Sequence, residues 1–229
     1  MLTHLLELRR RALFTLLYFS AVFLLFFFVA GDLFHTLISP LLKALPNQDG
    51  LIATQVTSPI LTPLKLAADA AMLVTAPFAL YQIWRFISPG LYKKEQDQFR
   101  GTILLSILLF VIGVFFCFYL VLPFMFQFFT HALPKGVRFM PDMAYALDFI
   151  TRMLLLFGFC FQVPLITLVL ARLKIIDAMT LKKIRPYVIV GAFIVGMLLT
   201  PPDVLSQIML ALPLCLLYEF GILLVLYLA

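Results

Sequence analysis

The run TILLSILLFVIGVFFCFYLVLPFMFQFF, Thr102–Phe129, has 28 residues and not one charged side chain. A helix that is apolar on every face has no side to offer water, so it belongs in a protein interior or a membrane. A bilayer core about 30 Å thick is crossed by about 20 apolar residues, and this run exceeds that length. Five further runs share its character: about Ala12–Ala30, Ala67–Ile87, Phe149–Ala171, Tyr187–Leu199 and Val204–Leu228. Together the six predict an all-α, polytopic membrane protein forming one domain over residues 1–229. The composition agrees, with 64% hydrophobic and 12% charged residues and a mean hydropathy of +1.10. Ordinary soluble domains are about 45–50% apolar and about 25% charged, so a soluble fold and a disordered chain are excluded. No blocks alternate with period two, which excludes a β-barrel.

The formal charge of +6 does not point to nucleic acid, because the basic residues sit in short breaks between apolar runs. Such breaks carry a topology signal. Twelve of the seventeen Lys and Arg residues fall on one side: Arg9 to Arg11, then Arg85, Lys93, Lys94 and Arg100, then Arg172, Lys174, Lys182, Lys183 and Arg185. Both termini are therefore expected in the cytoplasm. On the other side, Gly31–Leu66 is a long connection containing Pro40, and its apolar spacing predicts a short amphipathic helix. His131–Leu147 predicts a second structured outer loop.

The fifth run is short. Thirteen residues span only about 20 Å as a helix, with Pro186 before it and Pro201-Pro202 after it. Either a short helix thins the bilayer locally, or Ile184 and its neighbours extend it to ordinary length.

Recognisable catalytic motifs are missing: no phosphate loop, no dinucleotide fingerprint, no HExxH and no GxSxG. The three histidines are far apart, so no shared metal site or cofactor is expected. Cys117, Cys160 and Cys215 lie in apolar runs without CxxC spacing and read as small buried hydrophobes. The chain reads as a binding or moving device, not an enzyme.

Polar side chains within the spans each need a reason, since hydrocarbon satisfies none of them. Gln162 lies near the middle of the fourth run and should meet another helix or a wet cavity. Glu219 lies in the sixth run. Asp203 follows two prolines and suits a helix N-cap, with Gln207 one turn on. On the basic side, Glu7 can pair with Arg10 or Arg11 at helical spacing, while Arg9 points elsewhere.

These residues fall into longer motifs. His4-Leu5-Leu6-Glu7-Leu8-Arg9-Arg10-Arg11 opens the chain. Ser58-Pro59 with Thr62-Pro63-Leu64-Lys65 follows, then Ala76-Pro77 and Tyr81-Gln82-Ile83-Trp84-Arg85-Phe86-Ile87-Ser88-Pro89-Gly90-Leu91-Tyr92-Lys93-Lys94-Glu95. Lys182-Lys183-Ile184-Arg185-Pro186-Tyr187 and Gly196-Met197-Leu198-Leu199-Thr200-Pro201-Pro202-Asp203 complete the set. In this order, across essentially the whole chain, they resemble TatC, the multi-spanning receptor of the twin-arginine protein translocase.

The resemblance implies a receptor and core subunit of Sec-independent export in the bacterial inner membrane. It implies recognition of the paired-arginine signal peptides of folded cargo at the cytoplasmic face by Glu7, Arg9, Gln82, Phe86, Leu91 and Glu95. It also implies partners of the TatA and TatB single-span type, docking around Met197, Leu198 and Thr200, assembly into a homo-oligomer, and transport driven by the proton-motive force. Gln162 stands where the family usually has Glu, so no titratable charge is required there; with Thr200 and Gln207 it could offer polar contacts to a partner helix. From the residues alone, a small-solute transporter stays open as the alternative. The lack of an internal repeat or of a midplane ion pair speaks against it.

Overall fold

The structure is a computed structural model that describes residues 2–45, 50–87, 96–132, 139–199 and 204–228. Among these the regular structure is helical, joined by short connections, with a single isolated bridge between Ile52 and Asp142. The helices are α1 (Leu2–Phe28), α2 (Ala30–Ala44), α3 (Ser58–Ile87), α4 (Gln96–Phe116), α5 (Leu122–His131), α6 (Met143–Cys160), α7 (Val163–Arg172), α8 (Ala178–Leu199) and α9 (Val204–Leu228). A π-helical turn, Cys117–Val121, joins α4 to α5. Proline causes it: Pro123 has no N–H, and its ring would meet the carbonyl four residues back. Widening the turn moves that carbonyl, and Leu122 N–H bonds to Cys117 O instead.

Among the described residues, five stretches are long and apolar enough to cross a membrane: Leu6–Phe28, Ser58–Phe86, Gly101–His131, Met143–Arg172 and Gln207–Tyr227. They correspond to five of the six expected spans. The sixth expectation, Tyr187–Leu199, is corrected in its start. The helix containing it begins at Ala178 and passes through Pro186, so at 22 residues it is of ordinary length. Its first half carries Lys182, Lys183 and Arg185, and only its second half is continuously apolar.

Two further boundaries moved. The second span was expected from Ala67, but α3 starts at Ser58. Pro59 and Pro63 read as connection residues, yet Pro59 falls in the first turn, where its missing N–H has no helical partner anyway, and Pro63 lies inside the helix at the loss of one backbone bond. The fourth span was expected to be continuous, and it breaks at Phe161-Gln162 between α6 and α7. Pro164 then falls in the first turn of α7, where it is tolerated. Lys174 closes α7 with a positive φ of 57°. Its N–H bonds to Ala171 O and that of Ile175 to Leu170 O, the paired arrangement that ends a helix in a left-handed residue.

The expected amphipathic helix is α2. It buries Ile38, Leu41 and Pro40 against α5 and α6, where Leu122, Met125, Ile150, Met153 and Phe157 form the largest core. The α2–α3 connection is tied to the start of α6. Asp142 accepts from the N–H groups of Ala144 and Tyr145 as a helix cap, and from the Thr54 N–H and hydroxyl at 2.9 and 2.6 Å. These bonds, the Thr54 hydroxyl foremost, hold its carboxyl down at about 2.

Helices α4 and α6 approach closely at two glycines. A Cβ on Gly113 would lie 2.7 Å from Phe157 O, and one on Gly158 would lie 2.6 Å from the Phe110 ring. Small residues let helix backbones meet in this way inside a membrane.

Candidate functional site

The N-terminal end of α1 meets the C-terminal end of α3, and the family-implied recognition residues gather there in part. Helical spacing sets Arg11 one turn above Glu7. Its Nη2 and Nε donate to Glu7 Oε1 at 2.6 and 3.1 Å, and its Nη1 donates to Gln82 Oε1 at 3.1 Å. One guanidinium thus lies between a carboxylate on α1 and an amide on α3. Of the two partners that spacing allowed Glu7, the structure selects Arg11. Glu7 remains accessible, with 38% of its side chain exposed, whereas Arg11 is 17% exposed. Among the described residues both of these bonds to Glu7 go to Oε1. Phe86 lies one turn beyond Gln82, half-buried, in the same α1–α3 groove.

Arg9 does not join this group. It lines a separate groove of about 310 Å³ with Leu6, Arg10, Leu13, Phe14 and Leu17. There the Arg10 guanidinium lies 5.7 Å from the centre of the Phe14 ring. Leu91 and Glu95 lie outside the described residues. The structure therefore brings together Glu7, Gln82 and Phe86 and sets Arg9 on another flank.

Gln162 is 2% exposed and is satisfied internally. The Ser106 hydroxyl donates to its Oε1 at 2.6 Å, its Nε2 donates to Ser106 O at 2.9 Å, and Trp84 Nε1 donates to Ser106 Oγ at 2.8 Å. The chain thus closes a polar knot between α3, α4 and the α6–α7 break. In this arrangement Gln162 presents no surface to a partner helix. Gln162→Leu leaves the Ser106 hydroxyl without its acceptor in an apolar interior, an expected cost of about 1–2 kcal/mol. A lowered thermal midpoint with a shifted Trp84 emission is the expected readout; an unchanged midpoint would show that the knot adds nothing.

At the other helix pair, Met197 and Leu198 are exposed on α8 (56% and 71%). Gln207 on α9 is half-buried and donates to Phe193 O at 2.8 Å, so its amide also has an internal partner. Thr200 and Asp203 lie outside the described residues. Glu219 accepts from Arg185 Nη2 at 2.6 Å across α8 and α9. Beside it, the Tyr218 hydroxyl donates to Leu181 O at 2.8 Å. Arg185 and Glu219 are 34 residues apart, so no periodic pattern in the sequence pairs them.

A TatC family model, described as Sec-independent protein translocase protein, matches residues 3–213. The Haemophilus influenzae protein named Sec-independent protein translocase protein TatC is 42% identical over 97% of this chain and 87% of its own length. The Escherichia coli K12 protein of the same name is 42% identical over 97% and 86%. A crystal structure described as twin arginine translocase receptor TatC superposes with a TM-score of 0.87 at 33% identity, covering 97% of each chain. The chain belongs to the TatC family of Sec-independent protein translocase proteins: it is a protein-translocase subunit and not an enzyme, and a solute transporter finds no support among these relatives.

Proposed function

We propose that this subunit is the receptor that binds the paired-arginine signal peptide of folded cargo at the end of the bundle where Glu7, Gln82 and Phe86 gather. One observation carries the reading: a guanidinium, that of Arg11, is already held there between a carboxylate and an amide. The geometry suits planar, forked donors. Glu95 and Leu91, implied by the family motif, complete the site in this reading, and Arg9 acts from its neighbouring flank.

In the same reading α8 is the sixth crossing, and both termini face the cytoplasm at the inner membrane of a bacterium. The bias of Lys and Arg supports this orientation. The Arg185–Glu219 pair supports the crossing, because it neutralises a charge that α8 would otherwise carry into hydrocarbon. The exposed Met197 and Leu198 face, with Thr200 and Gln207, receives a single-span partner of the TatB or TatA type. Gln162 joins that contact only by exchanging its bonds to Ser106 for bonds to the partner. The subunit works as a homo-oligomer, and transport is driven by the proton-motive force.

The test is binding of a twin-arginine peptide and its Lys-Lys counterpart to the purified chain. Lysine keeps the charge and loses the fork, so binding should weaken about tenfold or more. Equal affinity for the two peptides would overturn the reading.

A further inference from the structure

Residues 1–31 hold three arginines and one carboxylate, Glu7. Glu7 pairs with Arg11, while Arg9 and Arg10 are exposed and form no ion pair among the described residues. Two unscreened cations thus stand within one turn of the carboxylate that, in the reading above, receives two more. Like charges brought together in this way oppose binding. An anion would offset them, and no described residue supplies it.

The two arginines flank an apolar line. At about 100° per residue, Leu6, Leu13 and Leu17 fall within about 40° of one another on α1, with Arg9 to one side and Arg10 to the other. These side chains bound a shallow groove of about 310 Å³. Phe14 forms part of its wall, and the Arg10 guanidinium rests 5.7 Å from the centre of that ring. The groove lies on the side of α1 opposite the one that lines the α1–α3 groove with Ala12, Thr15 and Phe19. No residue in the most apolar part of α1 is buried within the chain, so this side meets the bilayer.

We propose that this face of α1 binds an anionic phospholipid of the inner leaflet, with its phosphate between the Arg9 and Arg10 guanidiniums and an acyl chain along Leu13 and Leu17. Two forked cations match the oxygens of a phosphate. The apolar track starts beside them and runs into the span, with Leu17 about 10 Å deeper than Arg10. Anionic headgroups are attracted to basic side chains at this height of a membrane. The lipid site stands on α1 and the cytoplasmic placing of its start. Its consequence for cargo rests on the reading that Glu7 receives the arginines: the bound phosphate offsets Arg9 and Arg10 and lets a cationic doublet approach.

The experiment uses the full chain in nanodiscs of phosphatidylcholine and phosphatidylglycerol in equal amounts. After release into detergent, native mass spectrometry should find phosphatidylglycerol retained about tenfold or more over phosphatidylcholine. Arg9→Gln with Arg10→Gln should remove that preference. Lys182→Gln with Lys183→Gln makes the same change of charge at an exposed pair on α8 and should leave it. In mixed discs with one lipid brominated, the emission added by Leu17→Trp should be quenched more by phosphatidylglycerol. That added by Leu16→Trp, on the α3 side, should be quenched equally by the two lipids. In phosphatidylcholine alone, the arginine double variant should bind a twin-arginine peptide about tenfold tighter than the unsubstituted chain, and phosphatidylglycerol should close that gap.

An unchanged lipid preference in the arginine double variant would overturn the proposal. Equal losses in the arginine and lysine variants would do the same, since they would show diffuse attraction and no site. A disulfide between two copies carrying Leu17→Cys, with no phosphatidylglycerol retained, gives this face to a second copy and removes the lipid. Weaker peptide binding by the arginine double variant in both lipids would make Arg9 and Arg10 contacts of the cargo itself, and the proposal falls. Glu7→Gln separates the two claims. If it leaves peptide affinity unchanged while the lipid preference still depends on Arg9 and Arg10, the cargo reading fails and the lipid site stands.

Discussion

Gly113→Val should unseat α4 from α6 and lower stability by about 3 kcal/mol. The glycine faces a backbone carbonyl as well as an aromatic ring, and the carbonyl cannot swing aside as the ring could. A Cβ there would lie 2.7 Å from Phe157 O and 2.9 Å from the Phe161 ring. Phe157 is fully buried at the centre of the largest core, so relieving the clash means moving α6 as a body. Overpacking of this kind typically costs about 1–3 kcal/mol, and an immobile backbone neighbour puts this case at the upper end. Gly158→Ala presses instead on the ring of Phe110, which can tilt, and should cost less. The damage from Gly113→Val should also reach the polar knot. Ser106 sits about two turns before Gly113 on α4, so a displaced α4 carries its hydroxyl away from Gln162 and Trp84. Trp84 is the chain's single tryptophan, and its emission reports that separation directly. Thermal unfolding followed by tryptophan fluorescence should show a midpoint well below that of the unsubstituted chain. An unchanged midpoint and emission would mean that α4 and α6 are not packed as the glycines imply.

What the sequence revealed divides along physical lines. Runs such as Thr102–Phe129 and Val204–Leu228 were legible because a bilayer demands continuous apolar length, and length is visible in one dimension. The Glu7–Arg11 pair was legible as one of two options, because helical spacing alone brings i and i+4 together. Gln82 as the third member was not derivable that way, since it lies 71 residues from Arg11 and its placement depends on how α3 packs beside α1. The same holds for Gln162: the need for a partner was evident, but Ser106 is 56 residues away and Trp84 further back still. Prolines misled in a systematic way. Pro59 and Pro186 read as breaks, and both sit inside helices, because a missing N–H matters little in a first turn or where neighbouring groups compensate. Pro164, read as part of one continuous span, instead sits just after a break, and Gln162 lies in that break.

Glu7→Gln should reduce affinity for a twin-arginine peptide by about tenfold to a hundredfold, and Glu7→Lys should abolish binding. The first substitution keeps shape and hydrogen-bonding capacity and removes only the charge. The second places a cation where the peptide's cation should sit. A competing account would make Glu7 a purely structural partner of Arg11, and the two accounts predict different patterns. The ion pair joins one partly exposed carboxylate to an adjacent turn of the same helix, so its contribution to stability is a few tenths of a kcal/mol. If Glu7 served only that pair, Arg11→Gln and Glu7→Gln would affect peptide binding equally, since each breaks the same contact. If Glu7 receives the ligand, Arg11 is an internal competitor for its Oε1. Glu7→Gln then loses affinity, while Arg11→Gln holds or gains it. The loss in Glu7→Gln should also flatten the dependence of affinity on salt, because one screened charge pair has been removed. Equal losses in both variants would assign Glu7 to the scaffold and move the recognition of arginine elsewhere in the chain.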